Sequence, residues 1–223
     1  MGFTGFSPRM YAFYQDIRFH NDKAFFEANR DRFQRDVQEP LRQLAVALIP
    51  AVQSVDPLLD VRPERVVSRI RRDTRFSKDK TPYRDHMWLG FKVPGEEGAL
   101  GLYVEVYAES WRFGAGFYAD TMKPAMDRLR DRILAQPSVF EALAAPLAGR
   151  FELCGQDYKR GYDPELPPFG KAYYRKKAFY LEHREPTGGV DLTPALADRI
   201  ADGFLALKPL YDFVAASRGA GVI

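Results

Sequence analysis

The feature that most constrains this chain is a change of hydrophobic period. From Phe25 to Val52 the apolar residues Phe25, Phe26, Phe33, Val37, Leu41, Leu44, Leu48 and Val52 fall on one face of a helix. Pro40 lies inside that stripe and should kink it or divide it in two. From Glu64 the period becomes two. Val66, Ser68 and Ile70 alternate with Val67, Arg69 and Arg71, and Met87, Leu89, Phe91 and Val93 alternate with His86, Trp88, Gly90 and Lys92. Leu100 to Ala108 and Trp111 to Tyr118 continue the alternation and read as a hairpin turning at Glu109-Ser110.

With Ala108 facing Trp111, the register places Val106 opposite Phe113, Val104 opposite Ala115 and Leu102 opposite Phe117. One face is then wholly apolar and should pack on helices. The other carries Tyr103, Glu105 and Tyr107 beside Gly114, Gly116 and Arg112, a shallow groove. Pro94 to Gly98 reads as a turn cluster.

Helices flank this region. Ser7-Pro8 is a helix start followed by Met10, Phe13, Tyr14 and Ile17 at helical spacing. Thr121 to Gln136 and Val139 to Leu147 read as two consecutive helices, Lys159 to Gly170 as an ordered loop, Lys177 to His183 as a strand, and Thr193-Pro194 as the start of a final helix. Residues after Ser217 should fray. Short connections between neighbouring strands favour antiparallel pairing, and the element order is not a regular strand-helix alternation. The expectation is a single α+β domain over residues 1–223, a mainly antiparallel sheet packed against helices.

The charge is concentrated. Residues 62–84 hold nine Arg or Lys against three acids, a local net of +6 in a chain whose total is +3. This is a patch, not a general basicity. A single cysteine, Cys154, excludes an internal disulfide and a multi-cysteine metal site and points to a reducing compartment, with cytoplasm the expectation. No apolar run approaches the ~18 residues of a membrane span, and the first residues lack the pattern of a secretory signal.

Within the patch, Arg71, Arg72 and Arg75 supply planar forks suited to phosphate or carboxylate, Lys80 a point charge, and Thr74, Ser77 and Thr81 neutral donors. Two readings stand side by side. Either these groups converge on an anion, with Tyr83, Tyr103 and Lys159 orienting its body, or Asp73 and Asp79 pair with the arginines and merely hold the loop. Glu105, an acid in mid-strand, is the one candidate general base, and a solvated strand face is its plainer reading.

The other chemistry-bearing residues give less. His20, His86 and His183 are dispersed, so no metal site is expected; His86, Asp85 and Glu105 form the one mixed grouping. Cys154 follows an apolar residue and reads as an inert thiol. Lys159, Arg160, Lys171, Arg175, Lys176 and Lys177, interleaved with Tyr158, Tyr162, Tyr173 and Tyr174, form a second basic and aromatic region. It supports a rival reading as a nucleic-acid binding module. A third reading is an interaction protein whose arginines only brace the loop.

The run Arg72-Asp73-Thr74-Arg75-Phe76-Ser77-Lys78-Asp79-Lys80-Thr81-Pro82-Tyr83 also resembles, throughout, the signature of the family known as domain of unknown function 2461. Phe25 to Arg30, Gly114 to Tyr118 and Lys159 to Tyr162 agree with it in order, so the resemblance covers nearly the whole chain. Where that family often has Pro-Lys-Gly, this chain has Lys159-Arg160-Gly161. The resemblance implies a compact, mostly bacterial α+β domain and carries over no catalytic residue.

Overall fold

The computed structural model describes residues 2–95, 100–117, 123–159 and 164–216. Ser7 precedes helix α1 (Pro8–Phe19), whose Met10, Phe13, Tyr14 and Ile17 are buried as their spacing implies. The Asp22 side chain accepts the Phe25 N–H at 2.8 Å and starts α2 (Lys23–Ala28). The chain then breaks at Asn29, runs through α3 (Arg30–Phe33) and a π turn (Gln34–Gln38), and continues as α4 (Glu39–Val55). The widened turn is where Pro40 acts: its ring and missing N–H conflict with the carbonyl of Asp36, and the π turn absorbs the conflict without cutting the stripe.

The expected strand over Glu64 to Arg71 is corrected. Pro63 opens a helical turn, α5 (Pro63–Val66), and beyond it only Val67 and Arg71 make isolated bridges, to Leu89 and Tyr83. The reason lies in Ser68. Its N–H bonds the Trp88 carbonyl at 2.8 Å, but its hydroxyl, not a backbone carbonyl, receives the Trp88 N–H at 2.9 Å. The side chain thereby ends the ladder after one step.

The sheet comprises β1 (Met87–Phe91), β2 (Gly101–Val106), β3 (Ser110–Gly116), β4 (Glu152–Cys154) and β5 (Tyr180–Pro186), in the order β1-β2-β3-β5-β4 and antiparallel throughout. The hairpin register differs from expectation by two residues: Val106 faces Trp111, Val104 faces Phe113 and Leu102 faces Ala115. A slip of two keeps every side chain on its expected face. The turn is Ala108-Glu109, closed by the Tyr107 N–H on the Ser110 carbonyl at 2.8 Å. Contacts from outside select it: Arg18 bonds the Glu109 carboxylate at 2.7 Å, and the Thr187 hydroxyl donates to the Ala108 carbonyl at 3.0 Å.

The apolar face packs on helices as expected. Helix α9 (Ala195–Ala215) lies against it, with Phe204 edge-on to Phe91 and Phe113. Glycine at 203 permits that approach, since a Cβ there would sit 2.1 Å from the Phe113 ring. Helices α6 (Lys123–Ala135) and α7 (Pro137–Ala144) follow the sheet's first three strands. The expected loop over Lys159 to Gly170 is corrected at its end, where α8 (Pro168–Tyr174) begins. The acid that caps it, Glu141, comes from α7 and accepts the Phe169 and Gly170 N–H groups at 3.0 and 3.1 Å. One hydrophobic core runs from Phe3 to Val214, and the fold is α+β.

Residues 96–98, Tyr118, Thr121, Arg160 to Tyr162 and the segment after Ser217 lie outside the described residues.

Gly114 gives a direct test of the sheet. A Cβ there would fall 1.7 Å from the Leu181 carbonyl oxygen, whereas at Gly90 the nearest atom is 3.7 Å away. Gly114→Ala should therefore lower stability by about 3 kcal/mol or more, and Gly90→Ala should change it by less than about 1 kcal/mol. Denaturant unfolding of both variants checks this.

Candidate anion site on the arginine-rich arm

The arginine run folds back on itself beside β1. The Arg72 N–H donates to Pro82 at 2.9 Å and the Arg84 N–H donates to Ile70 at 2.8 Å, so residues 69–84 form a two-armed hairpin with a loop over 73–81. Asn21 anchors it. Its Oδ1 accepts the Tyr83 N–H and its Nδ2 donates to the Tyr83 carbonyl, both at 2.9 Å. The Tyr83 ring, 2% exposed, stacks on Phe26 with centroids 4.4 Å apart.

Inside the loop the acids are engaged. Asp79 accepts the Thr81 N–H at 2.9 Å and pairs with Arg72, which also bonds the Thr81 hydroxyl. The backbone N–H of Thr81 first, then Arg72 and the Thr81 hydroxyl, draw the Asp79 carboxyl down to about 2. Arg75 holds Asp73 with Nη2 at 2.6 Å and Nε at 3.0 Å, which lowers that carboxyl as well. Lys80 donates to the Thr74 carbonyl at 2.9 Å. Phe76 at the loop tip is 95% exposed.

The base of the hairpin differs. Among the described residues, no carboxylate lies within ion-pair distance of Arg69 or Arg71; Arg71 stands over the Tyr83 ring at 5.8 Å. Arg84 donates through Nη1 to the carbonyls of Arg71 and Arg69 at 2.5 and 3.2 Å and lies 4.8 Å from the Trp88 ring. Burial, then the Arg72 charge, push the Arg84 guanidinium down from its ordinary value. Arg69, Arg71, Arg72, Arg75, Arg84 and Trp88 line an open recess of about 600 Å³. Its positive charge exceeds what its acids neutralise.

Of the residues singled out in the sequence, Arg71, Arg72 and Arg75 line this recess, with Lys80 in the same loop. Tyr83 does not line the recess but a separate pocket that shares Arg69 and Arg71 with it. Tyr103 and Lys159 do not join them. Tyr103 is buried on the sheet, its hydroxyl donating to the Leu181 carbonyl at 3.2 Å. Lys159 follows Tyr158, whose N–H bonds Arg175 near the β4 edge. The arm thus sits at the β1 edge of the sheet and the described part of the second basic region near the β4 edge, and those edge strands are four strand spacings, roughly 19 Å, apart.

Glu105 accepts Arg112 Nε at 2.5 Å and the Tyr107 hydroxyl at 2.9 Å, and Arg112 reaches on to Glu182 at 2.9 Å. Burial, then the Glu105 charge, raise Tyr107 to about 12. Glu105 is therefore a partner in a half-buried ion network across the central strands β2, β3 and β5; His86 stacks on its Tyr107 at 4.4 Å but bonds Asp85. Those two face each other at 3.0 Å, and Arg18 holds Asp85 at 2.8 Å. Burial opposes the Asp85 charge, but the His86 and Arg18 bonds outweigh it and keep the carboxyl below its ordinary range. Among the described residues, no group of three or more His, Cys, Asp or Glu could hold a metal ion. Burial, with Glu152 and Glu182 nearby, pushes the Cys154 thiol up, away from nucleophilic character.

Arg69 and Arg84 belong to the run that the sequence marks as the best candidate for a site, but Asn21 and the stacking of Arg84 on Trp88 were not legible there. Asn21 is 62 residues from its partner, and its amide reads as nothing more than a polar break.

The fold and this arm define a class: an α+β domain with an arginine-rich hairpin packed outside the edge strand of an antiparallel sheet. Residues 9–213 match the family described as conserved hypothetical protein (DUF2461), and the chain belongs to that family. No curated protein matches the chain. Among the described residues, no helix is long and apolar enough to cross a membrane.

The Asp79 carboxyl should titrate at about 2, below its ordinary 3.8. Its contribution to loop order is then present above the ordinary value and is lost as pH falls through about 2. Because the Thr81 N–H is the larger cause, Arg72→Gln should raise this value only part of the way. Carboxyl-detected NMR titration of both forms measures it.

Proposed function

We propose that the protein binds a small phosphate- or carboxylate-bearing ligand, in the cytoplasm, at the base of the arginine hairpin. One observation carries the reading: Arg72 and Arg75 have acid partners, whereas Arg69 and Arg71, in the same recess, have none among the described residues. Planar guanidinium forks without a contact acid, beside a stacked Arg84–Trp88 pair, suit two oxygens of a carboxylate or phosphate. Arg69, Arg71 and Arg84 would hold the anion, and Arg72, Arg75 and Lys80 would keep the loop in place around it. Glu105, already neutralised by Arg112, lends no support to proton transfer.

Thermal-shift titration with inorganic phosphate, pyrophosphate, small carboxylates and a short oligonucleotide, at low and moderate salt, tests this. A compact anion should raise the wild-type Tm saturably. Arg71→Gln should lose that rise while its ligand-free Tm moves by less than about 2 °C. Arg72→Gln should lower the ligand-free Tm by more than Arg71→Gln does, because it removes the bonds to Asp79 and Thr81 that shape the loop. Stabilisation by the oligonucleotide alone, falling steeply with salt, would favour the nucleic-acid reading. A blank panel would leave the arginines a purely structural role.

A further inference from the structure

A second, smaller cavity of about 280 Å³ shares Arg69 and Arg71 with the open recess and lies between α2, α3, α4 and the start of the arm. Its walls are of two kinds. Phe26, Phe33, Ile70 and Tyr83, all buried, make an apolar floor. Arg30, Arg42, Arg69 and Arg71 stand around it with Glu27 and Glu64. Arg30 is engaged, gripping Glu27 at 2.6 and 2.8 Å. Among the described residues, Arg42, Arg69 and Arg71 have no carboxylate within ion-pair distance, so three cations without a contact partner border an apolar floor, with Glu27 near enough to feel the Arg71 charge and Glu64 near enough to act on Arg62.

A second observation calls for an acceptor oxygen on the occupant as well as an apolar body. The Tyr83 hydroxyl is buried and has no hydrogen-bond partner, although it lies close enough to Arg30 to act on its charge. Buried phenols ordinarily find an acceptor. Arg69 and Arg71 line both this cavity and the open recess, so an anion held between them has the apolar floor directly beside it.

We propose that this cavity takes the apolar body of the ligand whose charge the arm holds. The ligand class is then an amphipathic oxyanion, an aromatic or branched aliphatic carboxylate or phosphomonoester. Inorganic phosphate and bare small carboxylates would fill only the charged half. The cavity lies just under the ~300–1,000 Å³ of drug-sized sites, which suits a single ring or branched chain. This inference rests on the anion-site reading above, and its failure is separable from the failure of that reading.

The test is calorimetric titration of the full chain with phenyl phosphate, phenylacetate, inorganic phosphate and acetate. Two variants alter the cavity but not the open recess: Val67→Trp, which fills it, and Arg42→Gln at an exposed position on its border. The wild type should bind phenyl phosphate at least about tenfold more tightly than inorganic phosphate, and phenylacetate should exceed acetate similarly. Val67→Trp should abolish that advantage and leave inorganic phosphate within about twofold; Arg42→Gln should weaken the phenyl ligands several-fold with little change in Tm. Equal affinity of the wild type for phenyl and inorganic phosphate would overturn the cavity assignment while leaving the anion site standing. Failure of every anion to bind would overturn both. If Val67→Trp does not fold, unchanged phenyl phosphate affinity in Arg42→Gln contradicts the inference alone.

Discussion

The side-chain amide of Asn21 holds the backbone of Tyr83 at both its donor and its acceptor, at 2.9 Å each, as a neighbouring strand would. Much else follows from that one clamp. It fixes the returning arm of the arginine hairpin against the junction of α1 and α2, where the sheet itself offers no further pairing because Ser68 has ended the ladder on β1. With Tyr83 pinned, its ring lies on Phe26, Ile70 turns inward, and Arg71 and Arg69 turn outward without acid partners. Removing both bonds would leave two backbone groups unsatisfied, a loss on the order of 1–3 kcal/mol for each that stays buried.

The arm divides its cations by pairing. Toward the tip, Asp73 and Asp79 are engaged by Arg75 and Arg72, and the hydroxyl of Thr81 and the carbonyl of Thr74 complete the bonding. The exposed pairs contribute little stability individually, since solvent screens them, but they set the shape of the loop. Toward the base Arg69 and Arg71 have no ion-pair partner among the described residues, and Arg84 is depressed by burial first and by the Arg72 charge second. The bracing reading fits Arg72 and Arg75, and the proposed ligand-holding role falls on other residues of the same segment, a division that charge counting along the sequence does not make.

What was legible in the sequence followed from local periodicity. The buried faces of α1 and α4 and the apolar face of the hairpin could be read because side-chain direction repeats every 3.6 or two residues. The hairpin register was off by two residues, and the faces survived because two is the period of a strand. What escaped was decided by distant partners. Helix α8 depends on Glu141 for its cap, the Ala108-Glu109 turn on Arg18 and Thr187, and the end of the β1 ladder on a serine hydroxyl. The same holds at the site: Arg71, Arg72 and Arg75 stood out by composition, whereas Tyr103 and Lys159 were joined to them by sequence chemistry and lie apart because the sheet order puts the second basic region at its far edge.

The most direct measurement of the central claim is a residue-resolved ¹H–¹⁵N NMR titration with inorganic phosphate. The account expects saturable shifts at the amides of Arg69, Arg71 and Arg84 and at the Trp88 indole, with Lys171 to Lys177 unmoved. Shifts centred on Lys171 to Lys177, or a spectrum in which the arm does not respond, would contradict it.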